Sequence, residues 1–180
     1  MPSFRVSVLV LAAAAFATSM LAAPPKKSAH DLQVERGRYL VMFGGCNDCH
    51  SPKKPMSMEP DQTRMLSGRP ATTPAPAKPA HPGEVAASGD LTAWYGPWGV
   101  SYAANLTPDP KTGIGKRYTE ASFIKTMRTG KKPEGEDLLP PMPWQNLSGL
   151  TDADLKAIFA FLRTIKPIEN NVKAAMPAKK

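Results

Sequence analysis

The sequence predicts an all-α domain. Three segments keep a helical hydrophobic period, no alternating strand pattern runs longer than a few residues, and the intervening chain is rich in proline and poor in aliphatic runs. The first helix is expected from about Asp31 to Phe43, with Val34, Gly37, Leu40 and Val41 on one face and Asp31 as its cap. Gly37 costs such a helix about 1 kcal/mol relative to alanine. A second helix crossing close at that point would explain it. A shorter helix follows Thr119 through Phe123, Ile124 and Met127, and Gly130 ends it. The last helix has the clearest pattern. Thr151 and Asp154 resemble a capping box, Leu155, Ile158, Phe159, Leu162 and Ile165 keep helical spacing, and Pro167 stops it.

Between the first two helices the chain changes character. Ser51 to Pro110 holds 11 of the 20 prolines. Pro70 to Pro82 reads as an extended, polyproline-like and mobile stretch. It reads as an excursion within the domain and not as a boundary, because the helices on both sides need each other.

The front of the chain has a different role. Val6 to Ala17 is apolar apart from Ser7, with Arg5 before it and small residues after it. That is the layout of a secretory signal peptide, cleaved near Ala22 or Ala23. The stretch is short for a membrane span, and no other run is apolar enough to cross a bilayer. An uncleaved anchor is the alternative reading. The expected organisation is a signal peptide over residues 1–23, one domain over 24–170 with a Pro-rich excursion at about 52–95, and a loosely ordered tail over 171–180. Export to the periplasm follows. Losing Arg5 lowers the formal charge from +8 to +7. Such an excess favours acidic partner surfaces. No Lys/Arg stripe interleaved with aromatics supports nucleic-acid binding.

Cys46-Asn47-Asp48-Cys49-His50 carries the chemistry, and it contains both cysteines of the chain. Cys-x-x-Cys-His is the attachment site for c-type haem. Two intervening residues let each sulfur reach one vinyl group of the porphyrin, and the next residue brings its imidazole under the iron. Three other readings fit less well. A disulfide would close a very small loop and leave His50 unexplained. A thioredoxin-like pair needs a βαβ context that the flanks lack. A zinc site needs four ligands, and the other histidines are only His30 and His81. Trp94, Tyr95, Trp98 and Tyr102 form an aromatic-rich segment that packs either on the haem face or in a satellite core.

Met142 is the candidate sixth ligand. It lies in Leu139-Pro140-Pro141-Met142-Pro143-Trp144, where prolines on both sides stiffen the loop. Stiffness helps a weak thioether ligand compete with water. The other methionines lie at the ends of the chain, in the excursion (Met56, Met58, Met65) or at core positions (Met42, Met127). Two other readings remain: a rigid turn with a buried Met142, and bis-histidine ligation through His30 or His81.

These pieces together resemble a mono-haem class I c-type cytochrome over residues 33–170, least so across 52–95. The matching segments include Arg36 to Leu40, Cys46 to His50, Leu66-Ser67-Gly68, Met127 to Lys131, Met142-Pro143-Trp144 and Phe161-Leu162-Arg163. Asn105-Leu106-Thr107-Pro108-Asp109 with Thr112-Gly113-Ile114-Gly115 is similar to single domains of the cytochrome c subunits of membrane-bound alcohol and gluconate dehydrogenases. The resemblance implies the class I cytochrome c fold, with N- and C-terminal helices crossing near Gly37 and Phe161 and the haem in a loop-rich pocket. It implies one haem c bound through Cys46 and Cys49, with His50 proximal and Met142 distal. It implies that Asn105 to Gly115 line the pocket, with the Pro108 carbonyl accepting the bond from the His50 ring. Those subunits have three haem domains, whereas this chain has one attachment motif, so the partner's identity does not carry over.

The function expected is electron transfer between Fe(II) and Fe(III), with no substrate transformed. A periplasmic dehydrogenase would be the donor and an oxidase or another cytochrome the acceptor. Lys53, Lys54, Lys111, Lys116, Lys131 and Lys132 are candidates to ring the exposed haem edge, or else a plain solvated surface. The alternative is a subunit permanently bound to a dehydrogenase or oxidase complex. A haem enzyme or gas sensor with a labile sixth ligand is a further reading.

Overall fold

The computed structural model describes residues 26–178; the expected signal peptide lies outside the described residues. Helix α1 spans Ala29–Phe43. Its cap is Ser28, whose hydroxyl accepts from the Asp31 amide while the Asp31 carboxylate accepts from the Ser28 amide. Asp31 is therefore the reciprocal partner and not the cap, and the helix starts two residues earlier than its hydrophobic period does. Helix α2 spans Cys46–His50, α3 Ile114–Arg117, α4 Glu120–Thr129, α5 Trp144–Leu147 and α6 Asp152–Thr164. Thr151 caps α6 by accepting from the Asp154 amide at 3.1 Å. The Asp154 carboxylate does not close the box. It pairs with Arg36 of α1 at 2.8 Å, and that bond holds the carboxyl below its ordinary pKa.

Gly37 shows how tightly the two terminal helices meet. A Cβ there would lie 1.9 Å from the Ala157 carbonyl oxygen and 2.8 Å from the Phe161 Cβ, so only a glycine lets the backbones approach this closely. The crossing buries Val41 of α1 and Leu155, Ile158, Phe161 and Leu162 of α6 in one cluster with Leu66, Ile114, Phe123 and Met127. Phe123 and Phe159 pack with ring centroids 5.3 Å apart.

The molecule is not all-α. Strands β1 (Ala86–Ala87), β2 (Ala93–Gly96), β3 (Gly99–Tyr102) and β4 (Met176–Pro177) form one antiparallel sheet in the order β1-β2-β3-β4. The β2–β3 hairpin turns at Pro97-Trp98, with Gly96 opposite Gly99. Strands of two to four residues are too short to show a period of two, and the pairing of β3 with β4 joins segments far apart in sequence. The sheet takes in the aromatic-rich segment and the tail. Residues 171–178, expected to be loose, end on the β3 edge, where Gly99 at φ 98° lets the β4 backbone come within 2.0 Å of where a Cβ would sit.

Asn170 locks this return. It is buried, its amide donates to the carbonyls of Ser67 (2.7 Å) and Arg69 (2.8 Å), and its oxygen accepts from the Ala71 amide at 3.2 Å. The start of the Pro-rich stretch is thus fastened, and much of the remainder to Pro82 lies at the surface. Asn170→Ala is expected to destabilise the folded protein by about 2–3 kcal/mol, since it strands two buried carbonyls and an amide. Guanidinium denaturation of the purified parent and variant measures this. Among the described residues no helix is long and apolar enough to cross a membrane.

Candidate haem-binding site

Helix α2 is little more than one turn. It places Cys46 and Cys49 three residues apart, on neighbouring positions of one helix surface, with both thiols free. Gly45 enters it at φ 66°. The Lys53 ammonium closes its far end, donating to the carbonyls of Asn47 (3.3 Å), Asp48 (2.7 Å) and Ser51 (3.0 Å). The Asn47 carbonyl also accepts from the Ser51 amide at 3.2 Å, so Lys53 adds a second donor there and caps the carbonyls of Asp48 and Ser51 at the helix end.

The His50 ring is held on one side. Its Nδ1 lies 2.8 Å from the Ala104 carbonyl oxygen. A carbonyl only accepts, so Nδ1 carries the proton and Nε2 keeps its lone pair for a metal. Burial pushes the imidazole below its ordinary pKa, against the opposing effect of the Ala104 bond. Burial also raises Cys49, and pushes the Cys46 thiol up to about 11. At neutral pH the folded chain therefore presents two protonated thiols and a neutral imidazole.

The partner of His50 is not Pro108. The Pro108 carbonyl faces Gly115, where a Cβ would sit at 2.2 Å. The segment from Asn105 to Gly115 is instead bonded largely to itself and to the chain after α6. The Asn105 oxygen accepts from the Thr107 amide (3.0 Å) and hydroxyl (2.7 Å), and its nitrogen donates to the Ile168 carbonyl at 2.8 Å. The Asp109 carboxylate accepts from the Thr112 amide and hydroxyl at 2.7 Å, which holds its pKa down. These motif residues build the loop that ends next to Ala104.

Met142 is half-buried and packs against the same hydrophobic cluster as Cys46. Its loop begins with a cis Pro140–Pro141 bond. The Met142 amide donates to the Leu139 carbonyl at 3.2 Å, and the Trp144 amide to the Met142 carbonyl at 2.9 Å. A cavity of about 310 Å³ opens at this loop, with Leu138, Pro140, Met142 and Trp144 among its walls. Among the other sulfur candidates, Met65 lies beside the attachment turn, with its sulfur 3.8 Å from the Ser51 hydroxyl. Met56 and Met58 are exposed, as are His30 and His81. Met42, expected in the core, is also largely exposed, and its sulfur accepts from the Asn47 side-chain amide at 2.8 Å.

Two contributors were hidden from sequence, and a third, Trp94, belongs to the aromatic segment already read as a candidate for the haem face. The Ala104 carbonyl is backbone and leaves no trace in residue identity. Ser101 bonds the Pro140 carbonyl at 2.5 Å only because the hairpin carries it there. Trp94 is paired with Ser101 across β2 and β3, and its indole nitrogen is buried without a hydrogen-bond partner. A buried N–H lacking an acceptor is costly, and a bound group with carboxylates would relieve it. Two free thiols, an imidazole with Nε2 open, a thioether on a stiff loop and a spare buried donor together fit a covalently bound haem.

The lysines give a different picture from a free ring of charge. Lys53 is spent on α2. Lys54, Lys111, Lys131 and Lys132 pair with Glu59, Glu169, Asp137 and Glu136 at 2.6–3.3 Å.

A Cys-x-x-Cys-His turn beside two crossed terminal helices, with its histidine oriented by a backbone carbonyl, defines a c-type cytochrome. Known proteins place it further. The chain is 32% identical over 152 residues to the gluconate 2-dehydrogenase cytochrome c subunit of Pantoea cypripedii, covering 84% of this chain and 27% of that protein. It is 31% identical over 147 residues to the fructose dehydrogenase cytochrome subunit of Gluconobacter japonicus, covering 81% of this chain and 24% of that protein. A diheme c-type cytochrome of Cereibacter sphaeroides is 27% identical over 135 residues, 75% of this chain and 37% of that protein. The chain belongs to the cytochrome c family of which these dehydrogenase subunits are members. It spans about a quarter of the length of these two dehydrogenase subunits. No family model matches it.

Proposed function

We propose that the chain carries one haem c and passes single electrons in the periplasm. Cys46 and Cys49 would hold the haem by thioether bonds, with His50 as proximal and Met142 as distal ligand. The observation that carries this reading is the His50–Ala104 bond, which fixes the tautomer and leaves Nε2 open at the end of the two-cysteine turn. When bound, the haem supplies a reversible one-electron couple at iron.

The chain's own residues do the rest. His50 is kept neutral and aimed by Ala104. The Met142 loop, stiffened by three prolines, offers a thioether, the ligand that favours the ferrous state. The hydrophobic cluster behind Cys46 and Met142 supplies the low-dielectric wall that tunes the couple. With both axial positions filled by protein, no place is left for a substrate at the metal, so the chain would act as a carrier and not as an enzyme. Donors would be dehydrogenases and acceptors an oxidase or another cytochrome. The relatives' names favour a second reading, in which the chain is a lasting subunit of a dehydrogenase complex. Co-purification from native membranes separates the two.

The test is spectroscopic. Protein made in a host competent in cytochrome maturation should be coloured, gain the mass of one haem, and keep that haem through acid–acetone extraction. Its alkaline pyridine spectrum should be that of a haem with both vinyls saturated. A colourless, correctly processed chain would sink the reading.

A further inference from the structure

Strand β3 does more than complete a sheet. The Ser101 hydroxyl donates to the Pro140 carbonyl at 2.5 Å. The same oxygen accepts from the Trp98 indole N–H at 3.3 Å, which leaves its proton for Pro140. Pro140 precedes Met142 by two residues, and Pro141 between them fixes φ. Holding the Pro140 carbonyl therefore holds the course of the backbone into Met142. Three residues beyond Ser101 the same run of chain reaches Ala104, whose carbonyl orients His50. That run is itself fastened. The Ala103 amide donates to the Thr92 carbonyl and its carbonyl accepts from the Arg69 amide, both at 2.9 Å. One short stretch thus holds both axial candidates, at points about 10 Å apart for extended chain.

We propose that Ser101 is a positioning residue for the sixth ligand, its hydroxyl bracing Pro140 so that the Met142 thioether stays on the iron. The proposal rests on the ligand assignment made above and goes further, giving the inserted hairpin a task in the redox site. The expected signature is an easier exchange of the sixth ligand with the proximal side untouched. Ser101→Ala should keep the haem and the far-red absorption band of a thioether–ferric bond. Its affinity for added imidazole should rise about threefold to tenfold, the factor equivalent to one lost hydrogen bond. Ser101→Thr, which keeps a hydroxyl, should restore the wild-type affinity.

Two controls separate the outcomes. In a Met142→Ala background, Ser101→Ala should not change imidazole affinity, since the bond that Ser101 guards is gone. A purely structural serine would lower thermal stability without this dependence on Met142. Unchanged imidazole affinity in Ser101→Ala, with the band lost in Met142→Ala, overturns the positioning role and leaves the ligand assignment standing. A band that survives Met142→Ala overturns the ligand assignment, and the positioning role with it.

Discussion

Met142→Ala should leave the haem attached yet change its chemistry more than any other single substitution outside the attachment motif. The ferric protein should lose its far-red band, and the reduced protein should take up carbon monoxide at neutral pH, which the parent should refuse. The potential should fall by on the order of a hundred millivolts, because a thioether stabilises the ferrous state and water does not. The fold should survive. Met142 is only half-buried, and the loop's own bonds, Met142 amide to Leu139 carbonyl and Trp144 amide to Met142 carbonyl, involve backbone alone. Carbon monoxide titration and redox titration of the two proteins check this. An unchanged potential and no carbon monoxide uptake would move the sixth ligand elsewhere.

Gly37→Ala should be the most damaging small change in the scaffold. In an isolated helix it would gain about 1 kcal/mol. Here the new methyl group meets a carbonyl oxygen at 1.9 Å, on backbone that has no rotamer to escape into. The helices must part, and overpacking of this kind outweighs the propensity gain, for a net loss of about 3 kcal/mol. For a domain of this size that is about 10 °C in melting temperature. Gly89→Ala is the matched control, since nothing lies within 4 Å of its Cβ position. Melting curves of the haem-loaded variants, followed by far-UV circular dichroism, decide it. A Gly37→Ala protein that melts with the parent would refute the close crossing.

What could be read from the residues depended on how local the signal was. Gly37 was informative because a glycine in a helix interior carries a known cost and so demands a reason. Thr151 and Thr119 were legible as caps because the cap bond spans three residues. Ser28 was not, because the apolar period begins after it. The Cys-x-x-Cys-His motif is plain in the sequence because the chemistry it implies needs adjacent residues. The sheet was concealed for the opposite cause. β2 and β3 have four residues each, β1 and β4 two, and β4 reaches β3 across about half of the domain. The family resemblance points to Pro108 for His50. The acceptor is a backbone oxygen at Ala104, and nothing in an alanine announces that. Lysine positions alone do not reveal their carboxylate partners, since Lys111 and Glu169 lie 58 residues apart.

The meeting of α1 and α6 also bears on the order of events during synthesis. Arg36 and Asp154, which pair across that crossing, are separated by 118 positions. A chain made from its amino end exposes Cys46 and Cys49 long before the residues that enclose them have left the ribosome. In that interval the sulfurs ionise like those of a short peptide; afterwards enclosure makes Cys46 a poor nucleophile. On the proposed attachment, thioether formation at this motif would be a task for the open polypeptide, with the closing helix arriving as the seal.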